Sequence, residues 1–156
     1  MTKTTESVTA GMLARYAFFA GMTEKMLQDL ASISEIVELS SGKNIFNTGD
    51  TAHGVIVLRS GKANILIEGG PAGDINVSTI DPGEALGWSG VIEPHYFSAT
   101  ARVTEAGSAI VISAPKLRQM MSTDHELATT VLTRVAQMLA TRLRDTRYQL
   151  IGMLNH

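Results

Sequence analysis

The chain contains no cysteine. Disulfide frameworks, Cys-ligated zinc and Cys-held iron–sulfur clusters are therefore excluded. A cytoplasmic location fits that composition. Proline is scarce, with 4 residues, and aromatic residues make up 5% of the chain. No apolar run reaches the roughly 18 residues that read as a membrane-spanning helix. The amino terminus carries Lys3 but neither an apolar segment nor a cleavage motif, so it does not read as a secretory signal. Charge of one sign is also lacking. The formal net charge is −2, so no global field favours nucleic acid. His53, His95, His125 and His156 are scattered, without H-x-H or H-E-x-x-H spacing, so no metal site or cofactor is expected. Ser89 lies in Gly87-Trp88-Ser89-Gly90 but lacks the G-x-S-x-G frame of a nucleophile elbow. The chain does not read as an enzyme.

What is present is apolar material, 44% of 156 residues, which suffices for one domain with a real core. Residues 1–11 are polar and Thr-rich and are expected to be loosely ordered. Met12 to Phe19 cluster as on a short helix. Thr23 reads as an N-cap, because Glu24, Met26, Leu27 and Leu30 follow at helical spacing. Ser40-Ser41-Gly42 breaks the helical pattern, and β signals follow. Val55–Leu58 is a short apolar run, as in a buried strand. Ala63, Ile65 and Ile67 alternate with their neighbours, 69–74 is a hairpin tip, and Ile75, Val77 and Thr79 mark the return strand. Many short strands with closely spaced turns predict a sandwich, roll or barrel.

The stretch Asp81–Val103, DPGEALGWSGVIEPHYFSATARV, is the centre of the chain. Gly83 and Gly87 precede a short turn or helix over Trp88–Val91. Backbone N–H groups of Gly87–Gly90 at a helix N-terminus would form an anion site. Strand alternation would point Ser98, Thr100 and Arg102 the same way, so one anion could meet all three. After the apolar strand Ala109–Ile112, Pro115 opens a short helix. Asp124 caps a long final helix, on which Leu127, Val131, Val135, Met138, Leu139, Arg142 and Leu143 recur at three- and four-residue steps. That stripe is expected to form a dimer seam, or else to pack on the roll.

The PGE…G core followed by a small-residue strand resembles the phosphate-binding cassette of the cyclic-nucleotide-binding domain, of the catabolite activator protein type. The likeness runs from about Leu13 to Leu143. It implies an antiparallel β-roll, a jelly-roll or double-stranded β-helix, with flanking helices and a long C-terminal helix. In that family the cassette reads Gly-Glu and later Arg-Ser/Thr-Ala. The Glu holds the ribose 2′-hydroxyl and the Arg pairs with the cyclic phosphate. Here Gly87-Trp88 stands for Gly-Glu, and Phe97-Ser98-Ala99 stands for Arg-Ser-Ala. Ser98 falls on the phosphate-contacting hydroxyl. The segment AQMLATRLRDT resembles the family's final helix and places Thr146 on its adenine-contacting threonine.

The resemblance thus implies a sensor module, with residues 12–122 as the ligand-binding roll and 123–154 as the dimerisation helix. Both polar anchors are aromatic. Each lost charge-assisted bond is worth roughly 1.5–3 kcal/mol, so cAMP or cGMP affinity is expected to fall on the order of a hundredfold or more. The expected function is a homodimeric regulatory protein that binds a small ligand with lost or altered cyclic nucleotide specificity. A genuine cAMP/cGMP binder and an interaction module with a filled pocket remain open. The sequence ends at His156 without a helix-turn-helix segment, so a complete transcription factor is not expected. Direct contact with nucleic acid or membrane is not expected, whereas a downstream protein partner is.

Overall fold

Every residue of the strand Gly54–Leu58 is buried, because both of its faces are covered. Val55 and Val57 belong to one apolar core, and Ile56 and Leu58 to a second. A strand in that position reads as a continuous apolar run rather than an alternation. Around it the computed structural model describes residues 1–71 and 73–155. In chain order the elements are β1 (Thr2–Lys3), α1 (Ala10–Leu13), a 3-10 turn (Ala17–Phe19), α2 (Glu24–Ser32), β2 (Ser34–Leu39), β3 (Asn44–Phe46) and β4 (Gly54–Leu58). Then come β5 (Lys62–Gly70), β6 (Gly73–Ile80), β7 (Ala85–Leu86), a second 3-10 turn (Trp88–Gly90), β8 (Thr100–Glu105), β9 (Gly107–Ser113), α3 (Ala114–Thr123) and α4 (His125–Leu154).

The strands form two antiparallel sheets, ordered β1-β2-β9-β4-β7 and β3-β8-β5-β6. Between them lies one core, with Val37, Ile45, Phe46, Leu58, Ile80, Phe97 and Val103. The helices cover the outer face of the first sheet and close the second core, with Leu13, Phe19, Leu30, Ile110, Ile112 and Leu127. The N-caps are where the side chains predict them. Thr23 Oγ1 accepts from Met26 N at 3.2 Å, and Asp124 Oδ1 accepts from Leu127 N at 3.0 Å. The hairpin tip over 69–74 joins β5 to β6, and Ala72 lies outside the described residues, as does His156.

Three expectations are corrected. Residues 1–11 are not simply loose: Thr2 and Lys3 pair with Glu38 and Val37, and Thr9 caps α1. β2 was not expected as a strand; its Ile36 and Val37 enter opposite cores while Glu35 and Glu38 pair across to β9.

The third correction concerns α4. Leu127, Val131, Val135 and Met138 are buried within this one chain, in the core beneath the helices. They do not form an open seam. Arg142, one turn further along the same stripe, turns toward the roll. A different face of α4 is left uncovered. It carries Leu132, Ala136, Leu143 and Leu150, all exposed, with Leu139 half-buried beside them.

Candidate ligand-binding site

β7 ends at Leu86, and Gly87 turns the chain with φ of +87°. A Cβ at this position would lie 3.0 Å from Gly54 O and 3.2 Å from Ile56 Cδ1. Glycine is therefore required by both the left-handed conformation and the close approach to β4. The turn that follows has three residues, Trp88–Gly90. Its own hydrogen bonds run from Gly90 N to Gly87 O and from Val91 N and Ile92 N to Trp88 O. The amides of Gly87, Trp88 and Ser89 lie outside those bonds. A single 3-10 turn has no dipole comparable to a helix, so the expected helix N-terminus site reduces to backbone donors alone.

Beside this turn is a cavity of about 190 Å³ between β3, β5, β6 and α4. Gly87, Trp88, Ser89, Phe97, Ser98, Ala99 and Thr146 all line it. Ser89 is buried, and its carbonyl lies 2.9 Å from His95 Nδ1, which donates in the Nδ1–H tautomer. Ser98 is exposed at the rim. Thr146 Oγ1 donates to Arg142 O at 2.8 Å, back along its own helix.

Phe97 points inward. It is 3% exposed and stacks on Phe46, with ring centroids 3.7 Å apart and planes 9° apart. Its backbone is clamped as well, since Phe97 N donates to Asp50 O at 2.9 Å and Gly49 N donates to Phe97 O at 2.8 Å. Trp88 is half-buried and packs beside the helical core.

Three expected residues are not in the cavity lining. Gly90 is buried behind the turn, with its carbonyl accepting from Arg118 Nη1 at 2.7 Å. Thr100 is fully buried and its hydroxyl accepts from Thr48 N at 3.0 Å, which spends it on the preceding turn. Arg102 points away, donating to Asn44 Oδ1 at 2.9 Å and pairing with Asp74 at 3.3 Å. Ser98, Thr100 and Arg102 do not converge, because regular β8 begins only at Thr100 and the alternation does not extend back to Ser98.

Arg142 was assigned to the dimer seam and instead lines the cavity. Its Nη2 donates to Ala85 O at 2.6 Å. Its Nη1 is 3.7 Å from Glu84 and 4.0 Å from Asp145. Burial pushes its guanidinium below the ordinary arginine value, while Glu84 and then Asp145 push it back up. Helical spacing signalled this position, since Met138, Arg142 and Thr146 follow one another at four-residue steps on the inward stripe. Ser78, Ile65, Val77 and Met138 also line the cavity and were not anticipated. A larger open concavity of about 1050 Å³ lies against residues 3–8 and 31–35, and it shares no lining residue with the cassette. No cluster of metal-ligating side chains occurs among the described residues, and no described helix is long and apolar enough to cross a membrane.

Known proteins agree with this architecture. The family described as the cyclic nucleotide-binding domain matches residues 36–124. The chain is similar to a Geobacter metallireducens protein named for cyclic nucleotide binding, at 27% identity over 87% of this chain and 98% of that one, with a TM-score of 0.80. It is similar to the N-terminal domain of a transcriptional regulator from Streptomyces coelicolor, at 25% identity, 88% and 94% coverage, and a TM-score of 0.65. It shares the fold of the Thermus thermophilus catabolite activator protein at 20% identity, 87% and 62% coverage, and a TM-score of 0.67. No curated protein matches it in sequence. The family match spans more than half of the chain, and the two-sheet roll agrees with it: the chain belongs to the cyclic nucleotide-binding domain family.

Proposed function

We propose that the chain is a non-enzymatic, cytoplasmic regulatory module whose cavity takes a small ligand other than cAMP or cGMP. The observation that carries this reading is the stack of Phe97 on Phe46. Phe97 stands where the resembled cassette has its phosphate-binding arginine, and here that side chain is spent on the core. The cavity volume of about 190 Å³ supports the same reading, being below the roughly 300–1,000 Å³ of pockets that hold drug-sized ligands. Calorimetric titration with cAMP and with cGMP tests it. No binding tighter than micromolar is expected for either nucleotide. A sub-micromolar dissociation constant would contradict the reading and favour a genuine cyclic nucleotide receptor.

The module is further proposed to act as a homodimer, with a downstream protein as its partner and no direct contact with nucleic acid. Support comes from the uncovered face of α4, where Leu132, Ala136, Leu139, Leu143 and Leu150 recur at the three- and four-residue steps of a coiled-coil seam. The helix has 30 residues, about 45 Å. Light scattering at tens of micromolar should return twice the chain mass. Leu143→Glu should halve that mass without loss of the circular dichroism signal, because Leu143 is exposed in the isolated chain. A wild-type monomer at that concentration would refute the dimer.

A further inference from the structure

The cavity holds one feature that the loss of cyclic nucleotide anchors does not explain. Its lining is apolar over Phe46, Ile65, Val77, Leu86 and Phe97, yet Arg142 of α4 also lines it. Among the described lining residues Arg142 is the one cation. A guanidinium has five N–H donors, and among the described residues Arg142 makes one hydrogen bond, to Ala85 O. Glu84 and Asp145, at 3.7 and 4.0 Å, lie beyond hydrogen-bond distance of Nη1. Each carboxylate also serves another group. Glu84 Oε1 accepts from Asp81 N at 2.9 Å, and Asp145 Oδ2 accepts from Ser78 Oγ at 2.6 Å. Neither carboxylate lines the cavity. They orient Arg142 without saturating it.

We propose that the cavity binds a small carboxylate with an apolar or aromatic body, its charged end on Arg142 and its body against Trp88 and Phe97. This rests on the reading of the cavity as a small-ligand site, and it names the class of ligand. The planar guanidinium fork matches a carboxylate through two parallel bonds. A side chain that is 14% exposed gains more from an added anion than a surface one. Burial lowers the Arg142 guanidinium, and Glu84 and then Asp145 act against that lowering, so it is a cation largely withdrawn from water beside two carboxylates. The volume of about 190 Å³ suits a single ring or a short chain. The anchor differs from the cassette anchor in position as well as type, because it comes from α4 and not from the residues before β8.

Trp88 is the chain's single tryptophan and lines the cavity, so its fluorescence reports occupancy directly. The full chain is titrated with benzoate, with its neutral isostere benzamide, and with cAMP. Benzoate should shift the emission saturably, with benzamide about tenfold weaker or worse. Arg142→Gln should abolish the preference for benzoate, while Arg142→Lys should retain part of it; thermal unfolding checks that each variant is folded. Should Arg142→Gln fail to fold, the benzoate-to-benzamide ratio on the wild type still decides. Equal affinities for the two probes, or a preference that survives in folded Arg142→Gln, would overturn the carboxylate assignment while leaving a small-ligand module. No response to either probe at millimolar concentration also overturns it. A cAMP response in the sub-micromolar range would instead defeat the underlying reading of the cavity.

Discussion

Replacing Val135 with glutamate should unfold the protein and not merely separate a dimer. Val135 is 1% exposed and sits in the same core as Leu13, Phe19, Leu30 and Ile112. The substitution removes apolar packing and leaves a carboxyl without a partner in an apolar site. Losses of this kind exceed about 4 kcal/mol, against a typical domain stability of about 5–15 kcal/mol. Urea unfolding followed by circular dichroism reads the effect. A folded monomer with a wild-type midpoint would mean that Val135 faces a second subunit. The contrast with Leu143→Glu separates the two faces of α4, one covered by this chain and one open.

The second large effect lies in the cassette. By the cassette motif alone, Trp88→Glu with Phe97→Arg would restore cyclic nucleotide affinity. The stack makes the opposite result the expected one. Phe97→Arg breaks the 3.7 Å contact with Phe46 and sets a cation in a site that is 3% exposed. The double variant should lose about 3–5 kcal/mol of stability and gain no measurable cAMP affinity. Adding Phe46→Ile makes room for the new guanidinium, and affinity should appear in that triple variant. Urea midpoints and calorimetry on the same preparations check both halves. A double variant as stable as the wild type, with a tenfold gain in affinity, would show that the position already points at the ligand.

The roll was legible wherever the determining interactions are local or periodic. Val55–Leu58 announced a strand buried on both faces, and Thr23 and Asp124 announced helix starts through their own hydroxyl and carboxylate. β2 was obscured because it follows α2 with one intervening residue, Ile33, and has no glycine or proline to mark the change. The cassette was recognisable as a frame, yet the direction of Phe97 was not. That direction depends on Phe46 in β3, a contact remote in sequence. Periodicity located the stripe on α4 but could not say what covers it. Leu127, Val131, Val135 and Met138 meet the chain's own helices and sheet, and Arg142 meets Ala85 beside the cavity. Ser98 misled because strand alternation was extended back to it, although it precedes the regular strand that begins at Thr100.

In the proposed reading, the Phe46–Phe97 stack takes the place of the phosphate anchor. A crystal structure of the protein grown in millimolar cAMP tests it most directly. The two rings should remain stacked, with no nucleotide in the cavity beside Gly87. A nucleotide seated there, with its phosphate on the amides of Gly87–Ser89 and Phe97 swung out of the core, would contradict it.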